Sequence, residues 1–476
     1  MKVLNILYSA ALAIKAVSSW VINKSFDEES IMKIENNLET IEINDNENFI
    51  YKIHCFKNNM KECNIIKNNL SNTLDILSNT LEFYQPIVFE AYIDDFTLYD
   101  MTGLGGGITF DINSIPLRLT NNTSSPPYVF PQALAKQLNL NKQPKFKKND
   151  FILLISTRVC SSDLSRILLH EIFHGLGFQT QFSLIYENEE SNNNLLIPVS
   201  LYNSNNDLKN KKSKEELDEA YENINISGFS PMTIFEKHIV DINTKKPIYE
   251  NLTFLYKIFN QCLKDKVKLK DLDYDTYLKC YKTTMNHTLV NEVLNISKNY
   301  LLKSQSIGFL TNEDDTILLK TFDNSFDEGS SVCHTDTIKN YNDPEEVENN
   351  IGEENISKYF DENFIMYYKQ FDDLPMETII KSIINDENHN NVIGKGILDI
   401  LKTLGWIEKG KERDVNNIYY LAEDIDLPEE NEFEEYYMNV KVFNQIENNH
   451  DEEVSFYGLD DDDLDTNDDI DRYQCK

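Results

Sequence analysis

His170-Glu171-Ile172-Phe173-His174-Gly175-Leu176-Gly177-Phe178 is the stretch on which the reading of this chain turns. On a helix, residues four apart lie one turn apart on the same face, so the imidazoles of His170 and His174 can reach one tetrahedral metal ion. Glu171 then projects beside that ion, where a carboxylate can take the proton of an activated water. The plain alternative is an amphipathic helix whose histidines fall in register by accident. With only eight histidines in 476 residues, the pattern is too rare for accident to be preferred.

The flanks supply the context the motif needs. Phe151-Ile152-Leu153-Leu154-Ile155-Ser156 is a short apolar run that predicts a buried strand. Ser162 or Asp163 can cap the helix that follows through Leu164, Ile167, Leu168 and Leu169, and Gly175 with Gly177 ends it. Further upstream, Ile87–Ile93 is rich in β-branched and aromatic residues and predicts another strand. Before it, residues 20–80 are polar and helical in pattern, with Ile65, Ile66, Leu70, Leu74 and Leu77 spaced for one helix face. We read them as an N-terminal extension or pro-segment.

Downstream, residues 187–216 are rich in Asn, Lys, Glu and Ser and predict a surface loop insert. Helical patterns return over 231–302, strands are expected at 306–310 and 316–320, and an amphipathic helix at 396–404 precedes Gly405-Trp406. The expected architecture is α+β, with one catalytic domain over 81–410 that holds a sheet, the motif helix and helical insertions.

At 55.5 kDa the chain can bury a large core. Its net charge of −35 is uneven, since from Ala422 to Lys476 there are 20 Asp and Glu against three Lys and Arg. Residues 411–476 are therefore expected to be an acidic, disordered tail. No Lys/Arg-dense stripe occurs, which argues against nucleic acid as a partner. Met1-Lys2 and the apolar run to Ile14, with small residues at Ala16 and Ser18, predict a signal peptide over 1–19 and a secreted protein. No later segment has the roughly 18 apolar residues of a membrane span. Asn-x-Ser/Thr sequons from Asn23 to Asn355 are compatible with that route and with glycosylation. Among the seven cysteines, Cys55 with Cys63 and Cys262 with Cys280 are close enough to pair locally. Cys160, Cys333 and Cys475 are left over.

A catalytic zinc takes three protein ligands and keeps one open position. Gly177 would let the chain turn and present a third ligand at position 180, but Thr180 is a poor one. The third histidine must come from elsewhere. His54, in the N-terminal extension, His287, His389 and His450 read as solvated surface residues. His238 sits among apolar residues of a helical segment, where a packed histidine is common. His334 follows a small-residue turn, Gly329-Ser330-Ser331-Val332-Cys333, at the end of a strand. Both His238 and His334 stay open on this reading.

These blocks resemble a family. Pro131-Gln132-Ala133-Leu134-Ala135, His170 to Phe178, Ile234-Phe235-Glu236-Lys237, Gly329 to Asp336, Phe364-Ile365-Met366 and Leu404-Gly405-Trp406 are similar to uncharacterised secreted metzincin-like zinc metallopeptidases of fungi and bacteria, distantly related to leishmanolysin. The resemblance runs from about Phe83 to Trp406 in scattered blocks. It implies Zn2+ as cofactor, a metzincin-like domain, His334 as third ligand beside His170 and His174, and a Met-turn at Met366. Leishmanolysin's own spacing points instead to His238. Tyr368, two residues past Met366, matches a tyrosine that ligates zinc or stabilises an oxyanion in related enzymes; apart from the resemblance, Asp336, two residues beyond His334, is a weaker candidate for a carboxylate that orients an imidazole. The expected function is a secreted zinc endopeptidase acting on protein or peptide substrates, with Glu171 as general base. The alternative is a catalytically inactive zinc-binding extracellular interaction or surface protein.

Overall fold

The structure is a computed structural model that describes residues 38–56, 59–94, 107–110, 113–157, 159, 163–186, 194–198, 201–203, 226–266, 287–327, 329–336, 356–368, 375–383 and 392–425. The fold is mixed α+β, several small sheets grouped around one of five strands. That sheet contains β1 (Leu38–Asn46) and β2 (Phe49–Phe56), which are followed by helix α1 (Met60–Thr80). It continues with β3 (Ile87–Asp94), β4 (Gly107–Phe110) and β5 (Phe151–Ser156), and β5 leads into the motif helix α2 (Leu164–Gly175). The strand order is β1-β2-β3-β5-β4. β2, β3 and β5 run parallel, while β1 and β4 are antiparallel borders.

β5, between two neighbours, is buried throughout, as its unbroken apolar run requires. One face carries a ladder of rings set by the strand register: Tyr51 stacks on Phe89 at 5.2 Å and Phe89 on Phe151 at 4.9 Å. Each such ring pair adds about 0.5–1.5 kcal/mol to the burial of its area. The ladder ends under α2, where a Cβ on Gly175 would stand 2.7 Å from the Phe151 ring. Only glycine lets the helix come this close to the sheet. α1 lies beside α2 and buries Ile66, Leu70, Leu74 and Leu77, while Ile65 stays exposed.

Residues 38–80 therefore do not form the separate extension or pro-segment expected over 20–80. β2 is an interior strand with neighbours on both sides, and removing it would open the sheet. His54 on β2 is likewise buried rather than at the surface, with Nε2 3.0 Å from the Glu90 carboxylate and its ring stacked on Tyr92. The charge pattern disguised this, because β1 and β2 alternate polar with apolar residues as strands do when one face is packed.

Two further boundaries move. Within the expected loop insert, Asn194–Pro198 pairs antiparallel with Phe182–Tyr186, and Leu201–Asn203 with Ile226–Phe229. The apolar Leu196 is fully buried there, its N–H donating to Ser297 Oγ at 3.0 Å. At the other end the folded body runs past 410 to 425. Helix α3 (Lys395–Leu404) is followed by Ile407–Glu408, which pairs with Leu81–Glu82, and Tyr420–Leu421 pairs with Ser114–Arg118. Arg118 then holds Asp424 through two nitrogens at 2.7 and 2.8 Å, a fork-to-fork pair. Cys55 and Cys63 are paired, with Cα atoms 6.1 Å apart, and Cys333 is a free, buried thiol. The signal segment, the Cys262–Cys280 pairing, His389, His450 and the chain beyond 425 lie outside the described residues. Among the described residues no helix is long and apolar enough to cross a membrane.

Candidate metal centre

α2 presents His170, Glu171 and His174 on consecutive turns, as the spacing requires. Of the two residues expected to cap its start, Ser162 lies outside the described residues. Asp163 makes no side-chain cap bond, and its two carboxylate oxygens instead take Arg166 Nε at 2.7 Å and Nη2 at 2.6 Å. At its end Gly177 adopts φ 121, a conformation side chains rarely take, and the Trp406 indole N–H donates to the Leu176 carbonyl at 2.8 Å. The last turn of the motif helix is thus tied to the C-terminal end of α3.

A third imidazole arrives from the turn 329–336. That turn is laced to the preceding strand: Val332 N–H donates to the Lys320 carbonyl at 2.7 Å and Lys320 N–H to the His334 carbonyl at 2.8 Å. Val332 sits at φ 73, rare for a β-branched residue, and this strained step turns His334 inward. Thr335 N–H donates to the Met366 carbonyl at 3.0 Å, which joins the turn to the 3₁₀ helix Phe364–Met366.

His170, His174 and His334 form one group whose ligand atoms lie within 4.8 Å of one another. His170 Nδ1 is 2.9 Å from the Ile365 carbonyl, His174 Nδ1 2.7 Å from the Phe178 carbonyl, and His334 Nδ1 3.0 Å from the Ser330 carbonyl. A carbonyl only accepts, so each Nδ1 carries the proton and each Nε2 is a bare lone pair. Those three lone pairs converge, with His170 Nε2 3.2 Å from that of His174 and 2.9 Å from that of His334. No proton is left to bridge them. A cation satisfies such a cup, and ligands of a tetrahedral zinc with bonds of about 2.0–2.1 Å stand about 3.3 Å apart. The donor set thus fits zinc, with backbone carbonyls fixing each ring's tautomer and orientation.

Burial sets the charge states. It pushes His170 and His334 well below the usual histidine range and His174 down to about 4, with the neighbouring imidazoles adding to the effect on His170 and His334. All three are neutral near pH 7, the form that binds metal. Glu171 is pushed up to about 8 by burial, against the opposing pull of a hydrogen bond from Thr109 and of the Arg166 charge. Thr109, on the border strand β4, donates to the Glu171 carbonyl at 2.6 Å and reaches its Oε2 at 3.4 Å. A cation in the cup would favour the carboxylate form.

A family model described as SPBPB7E8-like matches residues 21–364. The chain belongs to the SPBPB7E8-like family. No curated protein and no solved structure matches it. The SPBPB7E8-like region takes in the main sheet, the motif helix and His334, while α3 and Trp406 lie beyond it.

Of the residues expected in the site, His170, Glu171, His174 and His334 come together. His238 does not join them: it ends the 3₁₀ helix Glu236–His238, stacks on Phe309 at 5.2 Å and is pushed down to about 3 by burial and by Lys237. Thr180 Oγ1 donates to Glu236 at 2.9 Å, and this buried carboxylate also takes the N–H groups of Gln181 and Thr233. Asp336 faces the buried Lys320 ammonium at 3.5 Å, while the His334 Nδ1–H points to a carbonyl. Cys333 Sγ lies 3.4 Å from His334 Nδ1, and burial pushes its thiol up to about 12, which keeps it protonated. Met366 is fully buried in its turn. Tyr368, two residues on, has its ring edge-on to Phe322 and 5.3 Å from the Lys320 ammonium.

Sequence reasoning passed over Arg166, Thr109 and the carbonyls of Ile365, Phe178 and Ser330. The backbone acceptors carry no sequence signal, and Arg166 reads as one polar position of an amphipathic helix. A second group, Glu313, Asp315 and Asp399, could hold a cation by distance, but Lys395 and Lys402 lie within ion-pair reach of it. Its three carboxylates are thus already paired with two ammonium groups.

Proposed function

We propose that this chain is a zinc-dependent endopeptidase of metzincin-like type, with His170, His174 and His334 holding Zn2+ and Glu171 as general base. The observation that carries the reading is the convergence of the Nε2 atoms of His170, His174 and His334 beside a buried glutamate. Zinc, when bound there, supplies a Lewis acid that polarises a peptide carbonyl and lowers the pKa of a water to about 7.

The chain's own residues supply the rest. Glu171, one position along the helix from His170, takes the proton of the attacking water and passes it to the leaving amine. Thr109 steadies that carboxylate, and because it lies on a border strand it links the base to the edge where an extended peptide can add as a further strand. Tyr368 is the residue we assign to help with the developing oxyanion. The metzincin-like resemblance, the signal-like N-terminus and the Cys55–Cys63 pair support a secreted peptidase.

The test joins metal analysis to kinetics. Purified protein should carry stoichiometric zinc and cleave unfolded protein substrates, and Glu171→Ala should keep the zinc and lose the cleavage. Equal activity in that variant would sink the mechanism, and zinc retained by a protein that cleaves no peptide would favour a binding role instead.

A further inference from the structure

We propose that Arg166 is the positioning residue of the metal centre, clamping the motif helix to the 364–367 turn so that the Ile365 carbonyl stands where it orients His170. The inference rests on the metal reading of the three histidines.

Arg166 lies one turn before His170 on the same face of α2. It is buried, and so is Asp163, whose two oxygens fix the guanidinium plane at 2.7 and 2.6 Å. The remaining nitrogen, Nη1, faces the Tyr367 carbonyl at 3.3 Å and the Ile365 carbonyl at 3.5 Å. That same Ile365 carbonyl accepts the His170 Nδ1–H at 2.9 Å. One backbone oxygen thus faces both a ligand's proton and the Nη1 of the arginine beneath it.

The turn holding this oxygen also supports the distant ligand. Thr335 donates through N–H to the Met366 carbonyl and through Oγ1 to the Asn363 carbonyl, both at 3.0 Å. His334 is the residue before Thr335, so the rings from α2 and from turn 329–336 are referenced to one short piece of backbone. Arg166 joins that piece to the helix. Two carbonyls and a carboxylate are served together by a planar fork, which a lysine ammonium cannot reproduce. A buried ion pair is weak evidence for stability, since apolar residues in its place are often as stabilising. Orientation of the ligand gives it a purpose that stability does not.

The experiment titrates the full chain, stripped with a chelator, with Zn2+ in competition with a chromogenic chelator and with Co2+ followed by its visible absorption. Arg166→Lys should bind zinc about 10–100-fold more weakly than wild type, the usual effect of losing an outer partner of a metal-ligating histidine. Its Co2+ spectrum should also change shape. Where Arg166→Lys does not fold, Asp163→Asn, which keeps the arginine but loosens its hold, should show the same two changes. Unchanged affinity and an unchanged Co2+ spectrum would overturn the clamp, whatever happens to the melting temperature. Wild-type protein that takes up neither ion would overturn the metal reading along with it.

Discussion

The Nε2 atoms of His170 and His334 lie 2.9 Å apart although the residues are separated by 164 positions in the chain. Both rings turn Nδ1 to a backbone carbonyl, which leaves each Nε2 as a lone pair that a cation would satisfy. The proposed metal site therefore exists only once the long-range fold has formed.

Removing the distant ligand separates the two histidines left open by the sequence. His334→Ala should weaken zinc binding by on the order of 100-fold or more, beyond the usual loss from an outer partner. His238→Ala should leave it unchanged, because His238 packs on Phe309 away from the cup. Competition with a chromogenic chelator measures both, and a large loss in His238→Ala with none in His334→Ala would exchange their roles.

Zinc uptake should release protons, and Glu171 should be their source. With its acid pushed up to about 8 the residue is protonated near pH 7, whereas the three imidazoles are already neutral. Calorimetric titration in buffers of different ionisation enthalpy should find about one proton released at pH 7 and close to none in Glu171→Gln. Equal release from the two proteins would contradict the assignment.

The metal-free protein should lose stability in acid. His174 has its folded pKa lowered to about 4 and His238 to about 3, so both take up protons more readily when unfolded. The stability they contribute is present above the unfolded value of about 6.5 and is lost as pH falls from there toward those folded values, at about 1.4 kcal/mol per pH unit for each group. Glu171 and Glu236, whose folded values are raised, act in the opposite sense, but His170 and His334 are also lowered and add to the loss. Denaturant midpoints of chelator-treated protein should fall from pH 7 to pH 5. Added zinc should flatten the upper part of that curve.

Gly175→Ala should destabilise the fold by about 1–3 kcal/mol, as overpacking does. The added Cβ would meet the Phe151 ring at 2.7 Å, at the junction of the motif helix and the sheet. Thermal melting of the metal-free protein reads this directly, and an unchanged midpoint would show that the helix can lift off Phe151 freely.

Much of the site is legible in the amino-acid sequence. His170, Glu171 and His174 follow from helical geometry, a local rule, and the strand Phe151–Ser156 and the glycine stop follow from local apolar pattern and backbone freedom. Other expectations failed where contacts are long-range. β1 and β2 read as part of a polar extension because β3, the strand that joins β2 to the rest of the sheet, lies beyond the whole of α1. Asn194–Pro198 read as loop because its neighbours are Asn-rich, yet three apolar residues within it are enough to pair a strand.

By itself the sequence determined which residue types could meet a metal and which two were bound to share a helix face, because neighbours four apart meet in any α-helix. Only the tertiary structure decided that His334 rather than His238 completes the group, that Arg166 and Thr109 stand beside it, and that residues 38–56 belong to the sheet. Those outcomes depend on strand register and on a strained turn at Val332, and such pairings are settled by the sum of distant contacts rather than by any local pattern.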